Sequence, residues 1–380
     1  MTCKNDYDGS LSLTCWKNGE VEEHVDMIFK NEDGSSSPTS FKSGEKGNNK
    51  DHAGITTNTT TNSGTWGVGA SGTGFALATV PDGDSSPISN EDKAGVMWML
   101  PRGNLRNYAV DDKDPLLVPE YLKDILHYCR KKESFLPYFC EKETMALVFS
   151  SYMSNQPFIN PQMRGVVVDW LIRLQNAFVF DSETAFLAVN LLDRFLANKT
   201  TPLKKDLLQL AGISCFLLAS KYEEVYHPSL DELAEICANV YPTRSIKESA
   251  ITIWQSLGFR LSLPTANKFL SLFLTQASLG DVKTSNVARY ILEGTLVHYS
   301  LLKYRPSQLA AAAFLIACNH TQQVSAFKGI TGYEYSAILP VASDVLEAKV
   351  NAPEGLLAVQ EKFSLEKYGC VANEIFTTII

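Results

Sequence analysis

The sequence has no CxxC pair, and none of its six histidines stands at zinc-finger spacing from a cysteine. Its eight cysteines, Cys3, Cys15, Cys129, Cys140, Cys215, Cys237, Cys318 and Cys370, are scattered along the chain. They read as reduced, mostly buried thiols of a cytosolic or nuclear protein, not as a disulfide or zinc framework. Long apolar runs are missing too: the longest, Leu309–Cys318, is too short to span a bilayer. The N-terminus MTCKNDYDGS lacks the basic-then-apolar pattern of a secretory signal, so a soluble intracellular chain without a membrane partner is expected. Basic excess is a further absence. Residues 1–100 hold seven lysines and no arginine against fourteen acidic residues, and the remainder holds 27 basic against 28 acidic. The acidity therefore belongs to the N-terminal segment, and the charge of the rest does not point to nucleic acid. No Gly-rich phosphate loop, metal cluster or nucleophile–base pair stands out, so no catalytic site, metal or cofactor is expected.

Residues 1–110 carry stretches such as SSSPTSFKSGEKGNNKDH and TTNTTTNSGTWGVGASGTG. Their Gly, Ser, Thr and Asn content cannot bury enough apolar surface to offset backbone ordering, which predicts a disordered acidic tail. Ser37-Pro38 and Ser86-Pro87 within it fit either proline-directed phosphorylation or simple turns.

After Asp114 the pattern becomes helical, with short breaks and almost no alternation, so the ordered part reads as all-α. A first helix opens at Pro119, with Tyr121, Ile125 and Tyr128 on one face, and must pack onto something else. From Pro161 the residues Val167, Trp170, Leu171, Leu174 and Phe178 form a stripe, and Asp181 or Ser182 caps the next helix. Leu207–Tyr222 is apolar nearly all round and holds Ala211, Gly212, Ser214 and Ala219, as a central buried helix would. Ser229 with Glu232, and Ser245 with Glu248, have capping-box spacing before two further helices. A second set is expected at Thr265–Gln276, Ser285–Tyr299, Pro306–Asn319, Tyr335–Val350 and Glu354–Phe363, where Leu309–Cys318 repeats the central-helix character.

The run MRGVVVDWL at Met163–Leu171 resembles the Met-Arg-Ala-Ile-Leu signature of cyclins. ETAFLAVNLLDRFL and LLQLAGISCFLLASKYEEVYHP resemble the next two helices of the same box, in order and with the right gaps. The resemblance runs from about Asp114 to about Cys370, and INPQMR and VPEYLKDI look like the mitotic A- and B-type groups, B-type preferred. It implies two five-helix boxes after a separate N-terminal helix: a tail over 1–110, the helix and first box over 111–262, and the second box with a C-terminal tail over 263–380. The implied function is that of a non-enzymatic subunit, in nucleus and cytoplasm, that binds and activates a cyclin-dependent serine/threonine kinase at G2/M. Two other readings stand beside it: a degenerate cyclin-fold adaptor, and a double-box general transcription factor. The latter wants a basic folded region and an N-terminal zinc ribbon, whereas Cys3 and Cys15 stand alone.

The resemblance also implies sites. Lys221 and Tyr222 would face the kinase's mobile C-helix, the ammonium offering up to three donors to backbone carbonyls; on local grounds Lys221 is equally a solvated helix-end cation. The family's glutamate partner for this lysine falls on Ala250, which leaves Glu248 and Glu224 as neighbours in sequence, with Glu224 assigned to the kinase face. Tyr121, Ile125, Phe259 and Leu261 would meet the kinase, or fill gaps between helices. Arg164 and Asp193 would pair internally. Met163, Val166, Val167, Trp170 and Gln209 match a groove for Arg-x-Leu peptides, though Val167 and Trp170 suit a plain core as well. Where that groove calls for a carboxylate or amide stands Arg173, a cation expected to repel a basic peptide, so that Arg173→Glu would tighten docking. Arg102 and Leu105 form an Arg-x-x-Leu element that ubiquitin ligase machinery could read, but the same spacing recurs by chance at Arg260/Leu263 and Arg289/Leu292.

Overall fold

The computed structural model describes residues 10–17, 20–28, 121–134, 152–198, 202–277, 281–322, 327–353 and 355–374. A helix α1 (Leu122–Ser134) precedes the first box. There, α2 (Pro161–Ala177) starts on Asn160, whose side chain accepts from Met163 N at 2.8 Å, with Pro161 at the first position where no N–H is missed. Next, α3 (Ser182–Asn198) starts where Asp181 accepts from Glu183 N at 2.8 Å. After α4 (Leu208–Glu223), α5 (Leu230–Ile236) carries the expected capping box, Ser229 and Glu232 exchanging bonds of 3.2 and 2.7 Å. The box closes with α6 (Thr243–Ser256). In the second box Thr265 caps α7 (Ala266–Gln276) and Asp281 caps α8 (Val282–Gly294), followed by α9 (Pro306–His320), the short α10 (Phe327–Thr331), α11 (Tyr335–Val350) and α12 (Ala358–Phe363).

Each box is built around one helix that is apolar on every side. In the first, α4 packs on α2, α3 and α6, and a Cβ at Gly212 would lie 2.8 Å from Val167 Cγ1, so only glycine permits this approach of α2 to α4. In the second, α9 packs on α7, α8 and α11, with Ala310–Ala317 fully buried and Phe314 against Phe273 at 6.4 Å.

Several details differ from expectation. Ser245 and Glu248 form no capping box: α6 begins at Thr243 after Pro242, and Glu248 instead pairs with Arg244 one turn away at 2.7 Å. Asp281 starts α8 ahead of Ser285, and the expected continuation to Tyr299 gives way to 3₁₀ turns at Thr295–Val297 and Tyr299–Lys303. The last helix begins at Ala358, not Glu354, and α10 was not anticipated. In the N-terminal segment, β1 (Ser10–Lys17) and β2 (Glu20–Ile28) pair antiparallel, Ser10 opposite Ile28 and Lys17 opposite Glu20, with an irregularity at Cys15/Trp16. Cys129, Cys215, Cys237 and Cys318 are buried and in no disulfide, but Cys370 is disulfide-bonded, against the expectation of reduced thiols throughout.

The boxes are joined by polar contacts. Glu183 at the start of α3 accepts from Thr265 Oγ1 at 2.7 Å and Asn267 Nδ2 at 3.0 Å, at the start of α7. Lys362 of α12, 3% exposed, reaches Glu293 of α8, 5% exposed, at 2.8 Å, and also Gln175 of α2 and Ser182 of α3, both at 3.1 Å. Helix α1 docks on the second box: Glu133 Oε1 accepts from Ser307 Oγ at 2.9 Å at the start of α9, and Arg130 bonds the Thr331 carbonyl while lying 4.7 Å from the Tyr333 ring centre. Burial pushes the Glu133 carboxyl above its usual range.

Candidate functional site

The candidate kinase-facing residues lie at the end of α4 and along α6. Lys221 is exposed in the last turn of α4, and no ion pair of its ammonium occurs among the described residues. Tyr222 is half-buried, while Val225 and Tyr226 in the following turn are 84% and 86% exposed. Glu224 is not on that face. Its Oε1 accepts from Asp181 N at 3.0 Å and from Thr184 Oγ1, because the unpaired N–H groups at the start of α3 attract a carboxylate. The assignment of Glu224 to the kinase is thus corrected to a structural role.

Ala250 lies in the buried stripe Ile246, Ala250 and Ile253 of α6, continued by Leu257 just past its end, so no carboxylate projects there. Off that stripe stand Ile251 and Trp254, one turn apart and both exposed, which the sequence reading missed. The signal was present: two large apolar residues on the solvent side of an amphipathic helix. Trp254 meets Phe259 edge to face with ring centres 5.1 Å apart, and Phe259 is 61% exposed. Phe259 has a φ of 61°, a left-handed conformation unusual for a bulky residue, and its N–H bonds Trp254 O at 3.0 Å. Leu261 is half-buried against the core, as is Ile125 of α1, whereas Tyr121 is exposed.

The second candidate surface lies on α2. Met163 and Val166 are half-buried. Val167 is fully buried against Gly212 and belongs to the core, which corrects its place in a groove. The rings of Trp170 and the amide of Gln209 are buried, yet Trp170 Nε1 and both Gln209 amide atoms have no hydrogen-bond partner among the described residues. Trp170 reaches within 4.0 Å of the Cβ position of Gly212, one turn along α4 from Gln209. A buried polar group without a partner costs about 1–3 kcal/mol, a cost that a peptide backbone, donor and acceptor at once, would relieve.

Arg173 is not the bare cation expected. Its Nε bonds Asp169 Oδ2 at 3.0 Å and its terminal nitrogens reach both oxygens of Glu361 from α12. Burial works against the guanidinium's charge, but Glu361 and Asp169 outweigh it and hold its pKa above the usual range. The expected tightening by Arg173→Glu was argued from an unpaired cation, and the cation is paired. That substitution sets a third carboxylate beside Asp169 and Glu361 and should lower stability by about 2–3 kcal/mol in urea unfolding.

Beneath these surfaces, Arg164 grips Asp193 through Nε and Nη2 at 2.6 and 2.7 Å and donates from Nη1 to the Leu296 carbonyl at 2.9 Å. Burial disfavours the cation, but the Asp193 carboxylate outweighs that and raises the guanidinium pKa. Tyr152 completes the set with a 2.8 Å bond to Asp193. Arg102 and Leu105, and both Ser-Pro pairs, lie outside the described residues.

Residues 134–262 match the cyclin N-terminal domain, and residues 264–375 the cyclin C-terminal domain. The chain belongs to the cyclin family. It is 36% identical over 270 residues to cyclin-B2-1 of Oryza sativa subsp. japonica (70% of this chain, 61% of the relative). It is 37% identical over 268 residues to human cyclin-A1 (68% and 54%), and 36% identical over 268 residues to G2/mitotic-specific cyclin-1 of Medicago sativa subsp. varia (69% and 60%). A- and B-type relatives thus stand at nearly equal identity, and this cyclin spans between 54% and 61% of their lengths. Among solved structures, a viral cyclin from herpesvirus saimiri superposes with a TM-score of 0.52 at 17% identity, over 60% of this chain and 97% of that one, which shows a shared fold. The two boxes of this cyclin and its preceding helix are that fold.

Proposed function

We propose that this cyclin is a regulatory subunit, without catalysis of its own, that binds a cyclin-dependent serine/threonine kinase in G2/M control. It holds the kinase's mobile C-helix inward, which completes the internal Lys–Glu pair of the kinase and orders its activation loop. The observation that carries this reading is the exposure of Lys221, Val225 and Tyr226 at the end of α4 and of Ile251, Trp254 and Phe259 at the end of α6, large apolar side chains and a cation with no ion pair among the described residues. Lys221 would donate to carbonyls at the end of a partner helix, where the macrodipole favours a cation. Residence in nucleus and cytoplasm follows from this reading.

A finer part concerns peptides. The unpartnered atoms of Trp170 and Gln209, beside half-buried Met163 and Val166, favour an extended Arg-x-Leu segment of a substrate or inhibitor as occupant of the α2 groove. Arg102–Leu105 would serve ubiquitin ligase machinery.

Co-purification with candidate kinases, followed by histone phosphorylation, tests the main reading. The parent chain should both bind and activate, and Lys221→Glu should weaken kinase binding at least tenfold. Binding without activation would instead make the protein an adaptor, the reading that Ala250 favours by leaving Lys221 without its family partner.

A further inference from the structure

Helix α6 is followed by two left-handed residues, Gly258 with φ 59° and Phe259 with φ 61°. Glycine takes that conformation freely, whereas an aromatic residue keeps it only where its surroundings impose it. Backbone bonds hold the turn to the end of α6: Gly258 N to Gln255 O at 2.9 Å, Phe259 N to Trp254 O at 3.0 Å and Arg260 N to Leu257 O at 3.2 Å. A further bond ties it to another element. Arg194 of α3 donates from Nη2 to the Arg260 carbonyl at 2.6 Å, across 66 positions.

Arg194 is an unfavourable residue for a purely structural bond. It is 8% exposed, and its Nη1 has no hydrogen-bond partner among the described residues. Asp193, next to it in sequence, is engaged by Arg164 and Tyr152. Burial pushes the Arg194 guanidinium down to about 10, and the like charge of Arg260 works in the same direction. Burial also raises the nearby Cys215 thiol, which therefore stays neutral and supplies no counter-charge. A buried cation without an anion detracts from stability, so the value of this contact lies in what it holds. The segment it holds carries Phe259, packed edge to face on Trp254, and both rings are exposed.

We infer that Arg194 is a positioning residue for kinase binding: through the Arg260 carbonyl it fixes the segment Phe259–Leu261 so that Phe259 stays on Trp254 and the two rings meet the kinase as a preformed pair. The inference rests on the kinase reading above and adds the residue, from another helix, that shapes its aromatic contact. Fixing the pair before docking lowers the ordering cost at the moment of binding.

The test uses the full chain and three readouts. With fluorotryptophan in place of tryptophan, the fluorine resonance of Trp254, assigned by Trp254→Phe, should move in Arg194→Met towards its position in Phe259→Ala. Affinity for the kinase retained in the co-purification above should fall about tenfold in Arg194→Met. The double variant Arg194→Met/Phe259→Ala should bind no worse than Phe259→Ala alone, since one residue acts through the other. Arg194→Lys, which keeps a donor, should recover part of the loss. The urea midpoint of Arg194→Met should stay at or above that of the parent, because a buried charge without an anion has been removed. An unmoved Trp254 resonance, or additive losses in the double variant, overturns the inference while the kinase reading stands. If Arg194→Met unfolds or loses stability, the contact is a structural one and the inference is likewise overturned. If the parent retains no kinase, the kinase reading falls and takes the inference with it.

Discussion

Arg164→Met should lower the unfolding free energy by about 3–5 kcal/mol, read as an earlier urea midpoint with unchanged slope. The substitution keeps apolar bulk but strands Asp193, which is 3% exposed and would retain only the Tyr152 hydroxyl. It also removes the donor to Leu296 O, a contact between the boxes. A second change, Asp193→Asn, removes the stranded charge and should return part of the loss. A fully additive double mutant would show that the pair is not coupled.

The second large effect belongs to Lys362→Met, again about 3–5 kcal/mol, because Glu293 would lose its cation in the interior and keep only the Ser182 Oγ bond at 2.6 Å. Glu293→Gln in that background should recover stability. Lys362→Arg should not substitute well, since the four acceptor oxygens around Nζ, on Gln175, Ser182 and Glu293, are arranged for a compact ammonium and not for a planar fork. An unchanged urea midpoint in Lys362→Met would refute the contribution assigned to this contact.

The helices were legible because period and caps are local. Asn160, Ser229 and Thr265 each bond an N–H three residues away, well within one sequence window. The five residues of α10 are too few to display a period. The strands were overlooked although Leu11, Leu13 and Cys15 alternate with polar residues and Asn18-Gly19 is a strong hairpin signal, because the polar composition of the segment as a whole dominated the reading. The failures at the candidate sites have one physical origin. Glu224 meets Thr184 across 40 positions, and Glu361 meets Arg173 across 188, and no propensity or motif encodes such partners. A charge read at its own position, as Arg173 was, leaves out the distant carboxylate that pairs with it.

The placement of α12 also has a consequence for synthesis. Gln175 and Lys362 are 187 positions apart, and at about 5–20 residues per second the ribosome needs about 10–40 s to produce the second after the first. During that interval the first box can fold around α4, but Asp169, Arg173, Gln175 and Ser182 have no α12 to bond. The rim of the α2 groove and the seam between the boxes are thus completed last, and a nascent chain stopped before Ala358 carries a first box whose α2 surface differs from that of the finished protein.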